Sequence, residues 1–189
     1  MATPTKTIPG LALLVLDVQD IFLRAMACGD AVRKSCRFAV QAAKLLGIPV
    51  VYTEQTPSKL GPTTPDVLGA AGDDPVIFPK DSFSSFGADG FSEWLEEHEI
   101  THLLICGIET SICIYQTALQ AIDSDMEVTL LTDALGARRS QDHEAALQAL
   151  ARKTECHLLP SETVFYSILG TSKHPCFKTF NSLVRDRDK

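Results

Sequence analysis

Asp17, Lys80 and Cys113 each follow, within a few residues, a short apolar run of the sequence. A carboxylate can accept and return a proton, an ammonium group can hold that carboxylate ionised, and a thiolate can attack a carbonyl carbon. Taken singly, each residue also fits an ordinary structural role: a turn aspartate, a solvated surface lysine or a buried core thiol. Together the three side chains indicate nucleophilic catalysis at a carbonyl group.

The elements that must position these side chains alternate along the chain. Short apolar runs predict six strands, at residues 11–17, 49–53, 76–78, 102–106, 126–131 and 156–159. Apolar residues at three- and four-residue steps predict helices at 30–46, 89–98, 111–124 and 141–153. Buried strands that alternate with helices predict a six-stranded parallel sheet with helices on both faces, which is a three-layer, doubly wound α/β sandwich.

In such a sheet the reactive groups gather beyond the carboxyl ends of the strands. Asp17 ends the first predicted strand, Lys80 follows the third, and Cys113 lies where the fourth gives way to a helix. A cysteine in the first helical turn lies near free backbone N–H groups, which favour thiolate and can stabilise an oxyanion. We also expect Asp133 to follow the fifth strand, and residues 55–75 to form one long loop that walls a pocket.

Length and composition favour a globular enzyme with a small-molecule substrate. The 189 residues suit one domain, predicted over 1–189 with a core at about 10–170 and a C-terminal helical tail at 171–189. Twenty-four acidic against 17 basic residues give a net charge of -7, which argues against nucleic acid and weakly against anionic membranes as partners. No apolar run reaches the roughly 18–20 residues of a membrane-spanning helix.

The cysteines and the N-terminal residues bear on cellular location. The six cysteines are scattered without a Cys-x-x-Cys pair, which predicts reduced thiols in an intracellular protein. Neither a secretory signal nor an arginine-rich transit segment is recognisable before the first strand. We therefore expect the cytoplasm, with the mitochondrion as the alternative.

Three motifs around the reactive residues resemble, in order, those of the isochorismatase-like cysteine hydrolases, which include nicotinamidases and carbamoylsarcosine amidohydrolases. Residues 16–22 (LDVQDIF) resemble the family's Asp-Val-Gln-x-x-Phe opening. Residues 80–86 (KDSFSSF) resemble its Lys-x-x-aromatic-Ser-x-Phe segment, and residues 107–113 (GIETSIC) its Gly-x-x-Thr-x-x-Cys segment. With the order of the strands, the resemblance covers most of residues 11–160.

The resemblance implies a hydrolase with Asp17, Lys80 and Cys113 as its catalytic triad. Asp17 would take the thiol proton and return it to the leaving group, while Lys80 would keep the carboxylate ionised and stabilise the thiolate. Cys113 would attack a carbonyl carbon to form an acyl-enzyme that water cleaves. The resemblance also implies a cis peptide bond between Ile108 and Glu109, which would aim the Glu109 N–H, beside that of Cys113, at the oxyanion.

The implied substrate is a small amide, carbamoyl or related carbonyl compound. Phe22 matches a family aromatic that borders the substrate pocket, and Phe83 and Phe86 are further candidates, with core packing as the alternative role of all three. A different function remains open, namely that of a catalytically silent member used in protein assembly or regulation.

The resemblance also implies a homo-oligomer, a dimer or larger. The tail adds its own observation, since Phe177, Phe180 and Val184 recur at three- and four-residue steps. Such an apolar stripe must cover either its own sheet or that of a neighbour.

Histidine positions separate this chain from its metal-dependent relatives. Nicotinamidases hold a metal with an aspartate and several histidines after the second strand, whereas residues 54–75 here contain no histidine. The five histidines are scattered without ligand spacing, so we expect no metal and no cofactor. A dinucleotide-binding oxidoreductase is excluded, because residues 17–20 (DVQD) replace the glycine-rich turn that it needs.

Overall fold

The computed structural model describes residues 8–187, so the first seven and last two residues of the predicted domain lie outside it. Its six strands form one sheet, in which all neighbouring strands run parallel. They are β1 (Leu11–Leu16), β2 (Val50–Gln55), β3 (Val76–Lys80), β4 (His102–Ile108), β5 (Glu127–Gly136) and β6 (Cys156–Leu159). The order across the sheet is β3-β2-β1-β4-β5-β6.

Helices cover both faces of this sheet. They are α1 (Asp20–Leu23), α2 (Gly29–Leu45), α3 (Pro57–Leu60), α4 (Pro65–Leu68), α5 (Phe91–Glu97), α6 (Tyr115–Asp123), α7 (Ser140–Leu150), α8 (Ser161–Leu169) and α9 (Phe177–Asp186). The core on one face includes residues of α2, α4, α8 and α9, and the core on the other includes residues of α5, α6 and α7. The predicted three-layer, doubly wound sandwich is therefore confirmed.

Strand β1 is central because both of its faces are apolar. All six of its residues are buried, and alternate side chains enter the two cores, Leu13 and Val15 on one face and Leu14 and Leu16 on the other. The strand order reverses between β1 and β4. At such a switch point the loops diverge and leave a crevice beyond the carboxyl ends of the strands.

Strand β5 is longer than predicted, and Asp133 lies within it rather than after it. After a register shift, the strand continues to pair with the end of β4, placing Leu135 opposite Gly107 and Gly136 opposite Ile108. The extension depends on this long-range pairing, and the prediction that Asp133 follows the strand is wrong for that reason.

The segment between β2 and β3 is not one long loop. It contains the helical turns α3 and α4 and a 3-10 turn over Gly69–Ala71. Pro57 and Pro65 begin the two helical turns. A backbone N–H at the first helical position has no partner within the helix, so proline, which lacks this N–H, costs no hydrogen bond there. Val67 is fully buried and fastens the segment to the core.

Helix α9 closes the core of its own chain. Phe180 is fully buried, with its ring centroid 5.8 Å from that of Phe38, 6.2 Å from that of Phe165 and 4.9 Å from that of Tyr166. The core therefore extends beyond the predicted limit near residue 170. The apolar stripe of the tail packs against α2 and α8 of its own chain and carries no information about a partner.

Arg187 fastens the end of α9 to the fold. Its guanidinium group pairs with the Asp133 carboxylate, donates a 2.8 Å hydrogen bond to Ser35 Oγ, and lies 5.0 Å from the centroid of the Phe38 ring. The charged tail thus ends in a network of partly buried contacts.

Two further observations concern the whole described region. In residues 8–187, no helix is long and apolar enough to cross a membrane. All six cysteines are free thiols.

Candidate active site

Asp17 leaves β1 with its carboxylate enclosed by protein. The residue is 1% exposed and adopts the left-handed conformation (φ 55°), which aspartate tolerates better than most residues. Its backbone N–H donates to the Thr53 carbonyl at 3.1 Å, and Thr53 Oγ1 donates to Asp17 Oδ1 at 2.9 Å. The end of β2 therefore fixes the orientation of this carboxylate.

Lys80, the last residue of β3, forms a buried ion pair with Asp17. The distance from Lys80 Nζ to Asp17 Oδ2 is 2.7 Å, and the two side chains are 0% and 2% exposed. The ammonium group also lies 2.7 Å from Gln55 Oε1 and 3.2 Å from the carbonyl oxygens of Ser82 and Phe83. These additional acceptors compensate for the loss of water around a buried charge.

Gly107 allows β4 to run close to β1 beside Asp17. A Cβ atom at this position would lie 2.0 Å from the Leu16 carbonyl oxygen, and its φ of +125° is one that other residues rarely adopt. The glycine of the third motif is therefore required by this close approach. It brings the segment after β4 next to the end of β1.

Cys113 lies in a π-helical turn, Thr110–Ile114, that directly follows β4 and precedes α6. The Asp17 carboxylate and the Glu109 backbone N–H are close enough to its thiol to shift the pKa of that thiol. The peptide bond between Ile108 and Glu109 is cis. The structure thus brings Asp17, Lys80 and Cys113 together in one group.

Electrostatics in this group favour the protonated thiol. Burial and, after it, the Asp17 carboxylate raise the pKa of the Cys113 thiol to about 12, against the lowering effects of Lys80 and the Glu109 N–H. Burial also raises the pKa of Asp17, against the opposing effects of Lys80, Thr53 and the thiol. The backbone N–H and Lys80 therefore act in the direction expected from the sequence, but burial and the neighbouring carboxylate have the larger effect.

A cavity of about 160 Å³ opens onto the Cys113 sulfur. Its walls include four apolar side chains, Phe22, Phe83, Ile108 and Ile112. Phe83 is 53% exposed and lies at the mouth. Phe22 and Phe83, two of the three predicted substrate contacts, therefore border this cavity.

Phe86, the third of them, lies elsewhere. Its ring packs edge-on against Phe91, with the centroids 5.4 Å apart, in the core that contains α5. It is not among the residues that line the cavity. We assign it to core packing, the alternative role, and remove it from the substrate contacts.

Gln55 and Arg138 also line the cavity, and neither belongs to the three sequence motifs. Gln55 ends β2 and therefore carries the strand-end signal that identified Asp17. Arg138 comes two residues after the end of β5. The sequence predicts an earlier end for this strand, so the strand-end rule does not select Arg138. Its Nε lies 2.5 Å from Glu109 Oε1, so the mouth of the cavity carries an ion pair.

Gln55 is held in one orientation on all sides. Its Oε1 accepts from Lys80, and its Nε2 donates to the Asp81 carbonyl at 2.9 Å, so the two ends of the amide cannot be exchanged. Gln19 Oε1 accepts from the Gln55 backbone N–H at 2.8 Å, and Gln19 Nε2 donates to the Gln55 carbonyl at 3.0 Å. The glutamine of the first motif therefore positions the partner of Lys80.

The π-helical turn is anchored from α7. Thr110 Oγ1 donates to the Gly136 carbonyl at 3.0 Å, and His143 Nδ1 lies 2.9 Å from the same hydroxyl. Because the single hydroxyl proton goes to the carbonyl, Nδ1 of His143 is the donor to Thr110. Within residues 8–187, no group of three or more His, Cys, Asp or Glu side chains is arranged to hold a metal ion.

Comparison with known proteins places the chain in a family. The Isochorismatase domain model matches residues 11–162. Isochorismatase domain-containing protein 2 of Bos taurus is 35% identical over 182 residues, which are 96% of this chain and 86% of the relative. The structure described as MAR1 ribonuclease from Caenorhabditis elegans is 27% identical and superposes with a TM-score of 0.87, over 97% of this chain and 92% of that one.

A more distant structure shares the fold. The YcaC gene product of Escherichia coli, described as an octameric hydrolase of unknown specificity, is 18% identical, with a TM-score of 0.80 over 99% of this chain and 98% of that one. The family match covers more than half of the chain, and the fold and the order of the motifs agree with it. The chain belongs to the isochorismatase family.

Proposed function

We propose that the protein hydrolyses a small amide, carbamoyl or related carbonyl compound through an acyl-enzyme on Cys113. The observation that carries the proposal is the grouping of Cys113, Asp17 and Lys80 beside the cavity. Cys113 and Asp17 both line it, and the Lys80 ammonium group lies 2.7 Å from the buried Asp17 carboxylate. Such a group can activate a nucleophile and later protonate a leaving group.

The reaction begins with the thiol protonated. As Cys113 Sγ attacks the carbonyl carbon, its proton moves to Asp17, so that charge separation accompanies the attack. The carbonyl oxygen takes the negative charge, and the backbone N–H groups of Glu109 and Cys113 are the proposed donors to it. Asp17 then gives the proton to the departing amine as the C–N bond breaks, which leaves a thioester.

Water completes the cycle. Asp17 removes a proton from a water molecule, the hydroxide attacks the thioester carbonyl, and the C–S bond breaks. The proton returns to sulfur and the acid is released. Asp17 therefore acts as base, acid, base and acid in turn within one turnover.

Lys80 acts on Asp17 rather than on the substrate. An ammonium group has three protons, and here the Asp17 carboxylate, the Gln55 side chain and two backbone carbonyls accept them. No proton of Lys80 is left for a substrate oxygen. Its proposed role is to keep the carboxylate ionised and fixed in direction.

The pH dependence of turnover follows from Asp17. Because burial raises the pKa of this carboxylate, activity falls as the pH drops through a value above the ordinary aspartate pKa of about 3.9. Thr53→Val removes a hydrogen bond that lowers this pKa, and it moves the acidic limb of kcat against pH to a higher value. An acidic limb below pH 4, or one that Thr53→Val leaves in place, would contradict the role of Asp17.

A panel of simple amides tests the function. We expect ammonia release from at least one of acetamide, butyramide, benzamide, succinamate and N-methylurea, together with an acyl adduct on the Cys113 peptide in rapidly quenched samples. No ammonia release and no adduct from any carbonyl compound would instead support the silent, regulatory alternative.

We also propose that the protein is a homo-oligomer. The related E. coli hydrolase is described as octameric. Ile21 and Phe83 are 49% and 53% exposed; Phe83 lines the cavity, and Ile21 directly precedes Phe22, which also lines it. A closed assembly with cyclic or dihedral symmetry would cover such side chains. Light scattering at micromolar concentration is the measurement, and a mass near 20.6 kDa, that of one chain, would refute it.

A further inference from the structure

The size of the cavity bears on the substrate. Its volume of about 160 Å³ is well below the roughly 300–1,000 Å³ of pockets for drug-sized ligands. The part of a substrate that lies beside Cys113 is therefore expected to be small.

The walls favour a hydrocarbon acyl group. Phe22, Phe83, Ile108 and Ile112 supply its apolar surface. The charged side chains in the lining are paired, Asp17 with Lys80 and Glu109 with Arg138. Contact with these side chains removes apolar surface of the ligand from water, which favours binding of methyl and methylene groups.

The charges that line the cavity cancel. The Asp17 carboxylate is paired with Lys80, whose protons are all engaged within the protein. The Glu109 carboxylate is paired with Arg138. A charged substrate would therefore enter a small, apolar space without a counter-charge, which is costly.

Among the residues of 8–187 that line this cavity, Arg138 is the basic side chain that could attract an anion. Its Nε is engaged by Glu109, and the side chain is 57% exposed, so water and the existing partner compete for it. An anionic ligand that reached Arg138 would also lie near the carboxylates of Glu109 and Asp17. The ion pair Glu109–Arg138 therefore leaves the mouth of the cavity without net charge.

We propose that the substrate is an uncharged amide of a short-chain hydrocarbon acid. The inference rests on the proposed function and adds to it the class of acyl group. A carboxylate or an ammonium group on the acyl chain excludes a compound from the site.

The test compares iodoacetamide with iodoacetate, two alkylating agents of nearly equal size that differ in charge. Their rates at Cys113 and at the exposed Cys28 are measured in the same samples by peptide mass mapping. Cys28 gives the intrinsic reactivity ratio of the two reagents. Relative to that ratio, we expect Cys113 to prefer the neutral reagent by about 100-fold, because the anion finds no free counter-charge.

Two variants show whether the Glu109–Arg138 pair is responsible. Glu109→Gln leaves Arg138 without its partner, and we expect the preference for the neutral reagent to shrink about tenfold. Glu127→Gln is the matched control, since it removes the acid of the exposed pair His157–Glu127, which lies at the start of β5, whereas Arg138 follows the end of that strand. It leaves the preference unchanged.

Equal relative rates, or a preference for iodoacetate, would overturn the inference and make Arg138 an anion anchor. Calorimetric titration with butyramide and with succinamate gives a measurement that needs neither alkylation nor turnover. Binding of butyramide alone supports the inference, and binding of succinamate or of neither compound overturns it. Butyramide binding without ammonia release from any amide of the panel would contradict the proposed function while leaving the inference standing.

Discussion

Asp17→Asn is expected to lower kcat/KM by about 10²–10⁴-fold, the usual cost of removing a catalytic acid or base. The amide of asparagine cannot take the thiol proton. The same variant is expected to lower the free energy of unfolding by about 3–5 kcal/mol, because it leaves the Lys80 ammonium group buried without its counter-charge. The sequence alone predicts a change in chemistry with an intact fold, and the burial of the pair adds the loss of stability.

A double variant separates the two effects of Asp17→Asn. Adding Lys80→Met removes the stranded charge, so we expect the free energy of unfolding to recover in part while activity stays lost. Urea unfolding of the wild type, both single variants and the double variant gives the coupling energy of the pair. Wild-type kcat in Asp17→Asn would contradict the proposed mechanism. Additive losses of stability would contradict the buried ion pair.

Cys113→Ala is expected to abolish turnover and the acyl adduct. Removal of the nucleophile from a serine hydrolase lowers kcat on the order of 10⁶-fold, and we expect a loss of similar size here. Alanine lacks only the sulfur at this position, so the variant keeps its fold. Ammonia release and intact-protein mass after incubation with the best amide of the panel are the measurements.

Cys156→Ala is the matched control for that variant. Cys156 is also buried, and burial raises the pKa of its thiol to about 11, but it lies in β6, away from the cavity. We expect it to retain turnover. An active Cys113→Ala variant would mean that the carbonyl is attacked by water rather than by sulfur.

The parts of the fold that the sequence predicts are those that local patterns encode. The apolar run of β1 predicts a strand covered on both faces, and the sheet confirms it. Asp17 and Lys80 were identified because parallel strands end at one edge, a rule that needs no knowledge of contacts. The same rule applies to Gln55, which the motifs did not emphasise.

The features that sequence analysis missed depend on contacts between distant segments. The end of β5 is set by pairing with Gly107 and Ile108, not by its own residues. The protonation state of Cys113 depends on how deeply the fold buries it and on its distance from the Asp17 carboxylate. Local spacing carries neither quantity, so it does not show that burial and Asp17 raise the pKa of this thiol.

The packing of α9 also determines where a truncated fragment would fail. The segment that matches the family model ends at residue 162, before Phe165 and Phe180. A fragment cut there would uncover Phe38 and the apolar side of α2, and exposed patches of this kind promote aggregation. It would also remove Arg187 from Asp133. Expression boundaries drawn from motif coverage alone would therefore yield an insoluble product, although every residue of the cavity would be present.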